Sequence, residues 1–280
     1  MQVFLNGRWL PEERAVVSVF DRGFLYGDGL FEVVRVCNGR PFRWQQHWER
    51  FERGVRLLKL TPPYSVTETL ALAHQLIRKN KMPEALLRVT LSRGVGLRGY
   101  SPHGADRPTF VLSLHPLPPQ YTRLPQWKLV TATQRLPDQG ALAGFKTANK
   151  LPQILARAEA DAAGADEALL LNAAGRVVEG TTSNLFWLHG QTVFTPPLAA
   201  GILPGITRTV MLEICRKQKL PVREKSPRRA DLLAADGVFL SMSSWGVAEA
   251  VMLDGRKLSR SPLVRTLRRN YDALLTAETK

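Results

Sequence analysis

The sequence predicts a mixed α/β (α+β) fold in two domains, and three observations carry that prediction. At 280 residues the chain is longer than one hydrophobic core usually organises. Apolar residues alternate with period 2 in some stretches and recur at i, i+3, i+4 in others, so strands and helices interleave throughout. Partway along lies "HPLPPQYTRLP", with four prolines in eleven residues, which suits neither a helix nor a central strand. The expected division is an N-terminal α/β domain over 1–118, a linker over 119–126 and a larger C-terminal domain over 127–280.

In the first domain "QVFLNGRWL" reads as two strands about an Asn6-Gly7 turn, and "AVVSVF" as another strand. Gly23, Gly27 and Gly29 bend "DRGFLYGDG"; "LFEVVRV" then alternates as a strand up to a second turn at Asn38-Gly39. Trp44, Trp48, Phe51, Val55 and Leu58 make one apolar stripe, predicting a helix over 44–60 that Pro62-Pro63 end. Arg50 lies at the stripe's edge, where an arginine ordinarily joins a surface salt bridge. Ser65 and Glu68 form a capping box that opens a helix to about residue 78. The strands "ALLRVTLSRG" and "RPTFVLSLHPLP" flank "RGVGLRGYSPHGADR", a segment too long and too rich in arginine (Arg93, Arg98) for a passive hairpin.

The second domain opens with the strand "WKLVTAT", and "FKTANKLPQILARAEADAAG" then sets Lys146 just before an amphipathic helix. "DEALLL" and "RVVEGTTSNLFWL" read as two strands, the second carrying one acid, Glu179. "GILPGITR" turns into a helix over 204–219. "GVFLSMSSWGV", a hairpin over Asp254-Gly255 and a helix from Pro262 complete the chain. A lone amine, a lone carboxylate on a central strand and a helix start rich in amides suit a phosphorylated aldehyde cofactor. The amine bonds the aldehyde, the carboxylate keeps a pyridine nitrogen protonated and the turn holds the phosphate.

Composition narrows the class. Apolar content of 44% with 22% charged residues is ordinary for a globular protein. No apolar run approaches the ~18 residues of a membrane span, and the start lacks a signal-peptide layout, so a cytoplasmic protein without a membrane partner is expected. Cys37 and Cys215 are too few for a disulfide framework, and no Cys/His spacing suggests zinc, so no metal is expected. The net charge of +15 is spread over clusters such as Arg228-Arg229 and Arg265, Arg268 and Arg269. These sit at helical spacing without a nucleic-acid motif, so the field is read as favouring an anionic small-molecule substrate rather than nucleic acid.

Taken in order, "DRGFLYGDGLFE", "HWERF", "FKTANKLP", "VVEGTTSNLF", "GILPGITR" and "SMSS" resemble the class IV aminotransferases, the fold-type IV pyridoxal-phosphate enzymes. The resemblance covers nearly the whole chain. It implies a C-terminal domain with a β-barrel-like sheet core and flanking helices, pyridoxal 5'-phosphate as cofactor, and a homodimer. Carried over by position, Lys146 is the lysine that bears the cofactor, with Lys150 the rival four residues on and one turn into the helix. Glu179 pairs with the pyridine nitrogen. Arg50 reaches the phosphate, displacing the salt-bridge reading, with Ile206, Thr207 and Ser243 or Ser244. On the substrate side the resemblance implies Tyr26, Arg93, Arg98 and Tyr100.

The motifs divide over the reaction. "SRGVGLRGYSP" is similar to the substrate-side segment of 4-amino-4-deoxychorismate lyases, whereas "GILPGITR" and "EGTTSNLF" look more like the transaminases. Members share cofactor chemistry and differ in substrate contacts, so the first segment decides better. The expectation is a lyase forming 4-aminobenzoate and pyruvate, in folate biosynthesis. The alternative is an aminotransferase for branched-chain L-amino acids or for D-amino acids, with a 2-oxo acid acceptor.

Overall fold

A computed structural model describes residues 1–118, 123–136 and 142–280; part of the expected linker, 119–122, lies outside them. By contact the chain forms two units. Unit 1 is Met1–Leu117 with Phe145–Asn149 and Leu275–Lys280, and unit 2 is Pro118–Gly144 with Lys150–Leu274. Lys146, expected in the second domain, therefore groups with the first unit, and the backbone shows why. Phe31 N–H donates to the Lys146 carbonyl at 3.0 Å, Ala148 N–H to Gly29 at 2.9 Å, and Thr147 bridges Leu30.

Unit 1 comprises β1 (Gln2–Leu5), β2 (Arg8–Pro11), α1 (Arg22–Tyr26), β3 (Gly29–Cys37), β4 (Arg40–Pro41), α2 (Trp44–Leu58), α3 (Val66–Asn80), β5 (Ala85–Ser92) and β6 (Thr109–His115). The sheet runs β2-β1-β6-β5-β3-β4 and its neighbours are antiparallel. Asn6-Gly7 and Asn38-Gly39 turn with positive φ at both positions, the backbone that a two-residue hairpin needs. The α2 stripe packs Trp44, Trp48, Phe51 and Val55 into one core with Leu30, Val34, Leu87 and Phe110. The Ser65–Glu68 capping box forms as expected. The expected strand at 15–20 does not form, and Val16, Val19 and Phe20 are exposed. Their alternation finds no core within the unit to bury against.

Unit 2 comprises β7 (Gln126–Arg135), α4 (Leu151–Ala162), β8 (Glu167–Leu171), β9 (Val177–Gly180), β10 (Asn184–His189), β11 (Thr192–Thr195), α5 (Ile206–Lys217), β12 (Val222–Glu224), α6 (Arg229–Leu233), β13 (Gly237–Met242), β14 (Gly246–Leu253), β15 (Arg256–Lys257) and most of α7 (Pro262–Glu278). Pairing runs β9-β10-β13-β14-β7-β8 and returns to β9, which closes a barrel. β11 and β12 extend the sheet from β10, and β15 pairs with β14. Leu169, Val177, Leu185, Trp187, Leu240 and Ala248 fill one core of this unit. "RVVEGTTSNLFWL" is not one strand but two, β9 and β10, folded back about Thr181–Ser183. Among the described residues no helix is long and apolar enough to cross a membrane, and no group of three or more His, Cys, Asp or Glu could hold a metal ion.

Candidate active site

In unit 1, β3 carries chemistry on both faces. Leu30, Glu32, Val34 and Val36 share the buried side, so an acid sits where the pleat calls for an apolar residue. Glu32 meets α2 there. Arg50 forks onto it, Nε to Oε1 at 2.8 Å and Nη2 to Oε2 at 2.6 Å, and His47 Nδ1 lies 2.8 Å from Oε2. Arg50 is thus in a buried ion pair, not a surface one. Burial alone would raise the Glu32 carboxyl, but the Arg50 charge and the bonds from His47 and Arg50 hold it down to about 2. Burial lowers His47, and Glu32 opposes that while Arg50 and Lys146 add to it.

The other side of β3 presents Phe31. The Lys146 amine lies 4.8 Å from its ring centroid and the Arg88 guanidinium 4.0 Å. Arg88 is half-buried on β5 and its pKa is lowered by burial. Two cations thus approach one aromatic ring.

The 93–101 segment is anchored by buried Arg22. Its guanidinium donates to the carbonyls of Gly99 at 2.9 Å, Tyr100 at 2.9 Å and Ser101 at 3.1 Å, and to Asp28 at 2.9 Å. Arg93 also takes Asp28, at 2.8 and 3.2 Å, and donates to the carbonyls of Leu58 and Lys59. Burial opposes, but Arg93 and Arg22 together lower the Asp28 carboxyl. Arg93 is therefore committed to holding the loop. Arg98 and Tyr100 are exposed on it, and Tyr26 meets Tyr100 edge to face at 5.6 Å and accepts from Gly99 N–H at 3.3 Å.

In unit 2, Glu179 on β9 faces Asn184 on β10 in register. Both grip Leu203: its N–H donates to Glu179 Oε2 at 3.0 Å, and Asn184 Nδ2 donates to its carbonyl at 2.9 Å. Asn184 Nδ2 also reaches Glu179 at 3.4 Å. Gly205 caps α5, and a Cβ added there would lie 2.0 Å from Asn184 Oδ1, so a larger residue would have to displace the Asn184 amide. Ile206 and Thr207 follow as the first helical residues, whose amides have no partner within a helix. Ser243 and Ser244 are half-buried in the β13–β14 turn. Ser241 is the register partner of Asn184, and its hydroxyl is buried without a hydrogen-bond partner among the described residues.

Lys150 is not one turn into the helix. It is the N-cap of α4, half-buried, and burial lowers its pKa while Glu179 raises it. Sequence reasoning passed over Arg22, Asp28, Glu32, His47, Arg88 and Glu167 as parts of a site. The usable signal was parity: Glu32 stands at a core position of an alternating strand.

The sequence model of the family described as amino-transferase class IV matches residues 29–251. A provisional branched-chain-amino-acid aminotransferase of Methanocaldococcus jannaschii is 33% identical over 259 residues, 92% of this chain and 90% of that one. An aminodeoxychorismate lyase of Vibrio harveyi is 34% identical over 248 residues, 88% of this chain and 89% of that one. The branched-chain aminotransferase of the thermophilic archaeon Thermoproteus uzoniensis, solved with norvaline, superposes with a TM-score of 0.93 at 30% identity, covering 100% of this chain and 96% of that one. With its closed barrel and its match over 29–251, the chain belongs to the class IV aminotransferase family and is a fold-type IV pyridoxal-phosphate enzyme, lyase or aminotransferase.

Proposed function

We propose that this enzyme releases the enolpyruvyl group of 4-amino-4-deoxychorismate as pyruvate and leaves 4-aminobenzoate. The observation that carries the reading is the 93–101 segment. Arg22 pins three consecutive carbonyls of it, and Arg98 and Tyr100 stand out from a backbone so fixed. A pre-positioned cation and phenol suit a ring-bearing carboxylate substrate, and Arg88 beside Phe31 suits a second carboxylate. The relative named aminodeoxychorismate lyase agrees with this substrate class.

The residues present fit the cofactor. The first amides of α5 suit a phosphate, and Ser241 holds a buried hydroxyl without a hydrogen-bond partner among the described residues. In this reading Lys146 would hold the cofactor's aldehyde carbon and Glu179 its ring nitrogen. By the resemblance Ile206, Thr207, Ser243 and Ser244 would hold the phosphate, and Arg50, which forks onto Glu32, is the arginine the resemblance assigns to it. Bound there, the cofactor supplies an electron sink. Lys146 would remove the proton from the substrate ring carbon that bears the amino group. The enolpyruvyl C–O bond breaks as the ring becomes aromatic. Lys146 then gives a proton to the methylene carbon of the departing enol, which leaves as pyruvate. Arg98 and Arg88 hold the carboxylates, and Tyr26 and Tyr100 line the ring.

The aminotransferase reading has its own observation, the lock of Glu179 and Asn184 on Leu203 within the transaminase-like "GILPGITR" turn. A homodimer is part of either reading. Val16, Val19, Phe20 and Phe24 are exposed together, and an Asp21–Val95 bridge joins their segment to the 93–101 loop. A second copy of the chain would cover such a patch. The expected location remains the cytoplasm.

The test couples pyruvate release from 4-amino-4-deoxychorismate to lactate dehydrogenase, beside a panel of L- and D-amino acids with 2-oxoglutarate. Faster pyruvate release than transamination of any amino acid is expected. Silence in the coupled assay with turnover on the panel would replace the lyase by the aminotransferase.

A further inference from the structure

Glu167 opens β8 with its side chain at 0% exposure. Its carboxylate accepts from the backbone N–H groups of Ala168 at 3.0 Å, Thr181 at 3.1 Å and Thr182 at 3.2 Å. It also accepts from the hydroxyls of Thr181, of Thr182 at 3.0 Å and of Ser183 at 3.1 Å. All but one of these donors belong to Thr181–Ser183, the turn from β9 to β10. A carboxylate has about four lone-pair directions, so the turn takes up its whole acceptor capacity. Gly180 is part of the fit: a Cβ there would lie 2.3 Å from Ser183 Oγ and 3.0 Å from Glu167 Oε2.

Short turns between antiparallel strands usually close on backbone bonds alone, and burying a carboxylate is costly unless every partner is in place. The turn carries on its two sides a facing pair of strand residues. They are Glu179 and Asn184, which face each other in register and hold both backbone groups of Leu203 just before α5. Thr181 N–H also bonds the Ala168 carbonyl at 3.1 Å, so the turn is tied to β8 by main chain and side chain alike.

We propose that Glu167 is a positioning residue that fixes the Thr181–Ser183 turn and so sets the direction in which Glu179 presents its carboxylate. The proposal rests on the reading of Glu179 as the partner of the cofactor's ring nitrogen. Glu167 is fully buried and its carboxylate is taken up by Ala168 and the turn. It acts through the turn, as an outer residue orients an inner one.

The experiment compares wild type with Glu167→Gln, Thr182→Val, Ser183→Ala and Glu179→Gln. Each apo-protein is titrated with pyridoxal 5'-phosphate, and the visible band of the bound cofactor is followed across pH. Glu167→Gln turns an amide NH2 toward donors. It is expected to raise the cofactor dissociation constant about 10- to 100-fold, as loss of an orienting outer residue does elsewhere, and to move the band's pH midpoint in the direction that Glu179→Gln moves it. The single-donor variants should move it the same way by less, and they decide the matter if Glu167→Gln does not fold. Melting temperatures of the apo-proteins separate a structural role. If the Glu167, Thr182 and Ser183 variants melt earlier but keep the wild-type dissociation constant and midpoint while Glu179→Gln shifts them, the positioning proposal alone is overturned. A wild-type midpoint in Glu179→Gln overturns the Glu179 reading and this proposal with it.

Discussion

Arg50→Ala perturbs the buried charge cluster of unit 1 at its strongest bond. Arg50 and Glu32 are 4% and 2% exposed, and the fork between them has contacts of 2.8 and 2.6 Å. The substitution leaves Glu32 inside with His47 alone. Removing one partner of a buried pair costs roughly 3–5 kcal/mol. Proton linkage gives a figure of the same order for the ionised Glu32 with all its partners, His47 included. The folded protein holds the Glu32 carboxyl at about 2 against an ordinary 4.5, and at 1.36 kcal/mol per tenfold in proton affinity that is roughly 3 kcal/mol. At roughly 2–3 °C per kcal/mol for a chain of this size, the apo-protein should melt about 6–15 °C lower. The pH dependence has a definite sign. A depressed carboxyl contributes stability that is complete above 4.5 and is lost as pH falls toward 2. His47, whose pKa is lowered chiefly by burial, acts the same way, its contribution falling once the pH drops below 6.5. Thermal melting by circular dichroism across this acid range is the assay, with Arg50→Ala, Glu32→Gln and the double variant. The wild type should lose stability in both windows, Arg50→Ala should lose much less in the lower one, and the two single effects should not add. An Arg50→Ala apo-protein melting with wild type would refute the buried-pair account and return Arg50 to a solvated role.

Three further substitutions probe the site. Glu179→Gln should lower kcat on the order of 10²-fold, the usual cost of one electrostatic partner at the reacting centre, with little change in apo-protein melting; near-wild-type turnover would make Glu179 structural. Asp28→Asn removes the common acceptor of Arg22 and Arg93, so kcat/KM should fall about tenfold or more and proteolysis within 95–107 should quicken. Unchanged kinetics would separate the loop from the substrate. Arg98→Ala should raise KM for 4-amino-4-deoxychorismate selectively, by about 10-fold or more for a lost charge-assisted contact, and an equal effect on every substrate tried would argue against a carboxylate contact.

What was legible in the sequence followed from local chemistry. The α2 stripe, the Ser65–Glu68 box and the Asn-Gly and Asp-Gly turns each depend on residues within a few positions of one another, and all appear where expected. The ion pairs do not work that way. Glu32 meets partners 15 and 18 residues away, and Arg22 meets carbonyls 77 to 79 residues away. Nothing beside either residue in the chain announces that. Two threonines favour β structure, so local propensity predicts strand through Thr181–Ser183; the Glu167 carboxylate 14 to 16 residues earlier gathers their donors into a turn instead. Likewise, pairing of Lys146 and Thr147 with the start of β3 joins the lysine to the first unit, through an isolated bridge that no local pattern signals.

The identity of the cofactor lysine underlies both the lyase and the aminotransferase readings, and one measurement reaches it directly. Lys146 faces Phe31, whereas Lys150 is half-buried at the start of α4 with an amine depressed by burial. Borohydride reduction of the holoenzyme followed by peptide mapping fixes the cofactor to whichever amine carries it. The account predicts a pyridoxyl label on Lys146. A label on Lys150, with Lys146 unmodified, would contradict it.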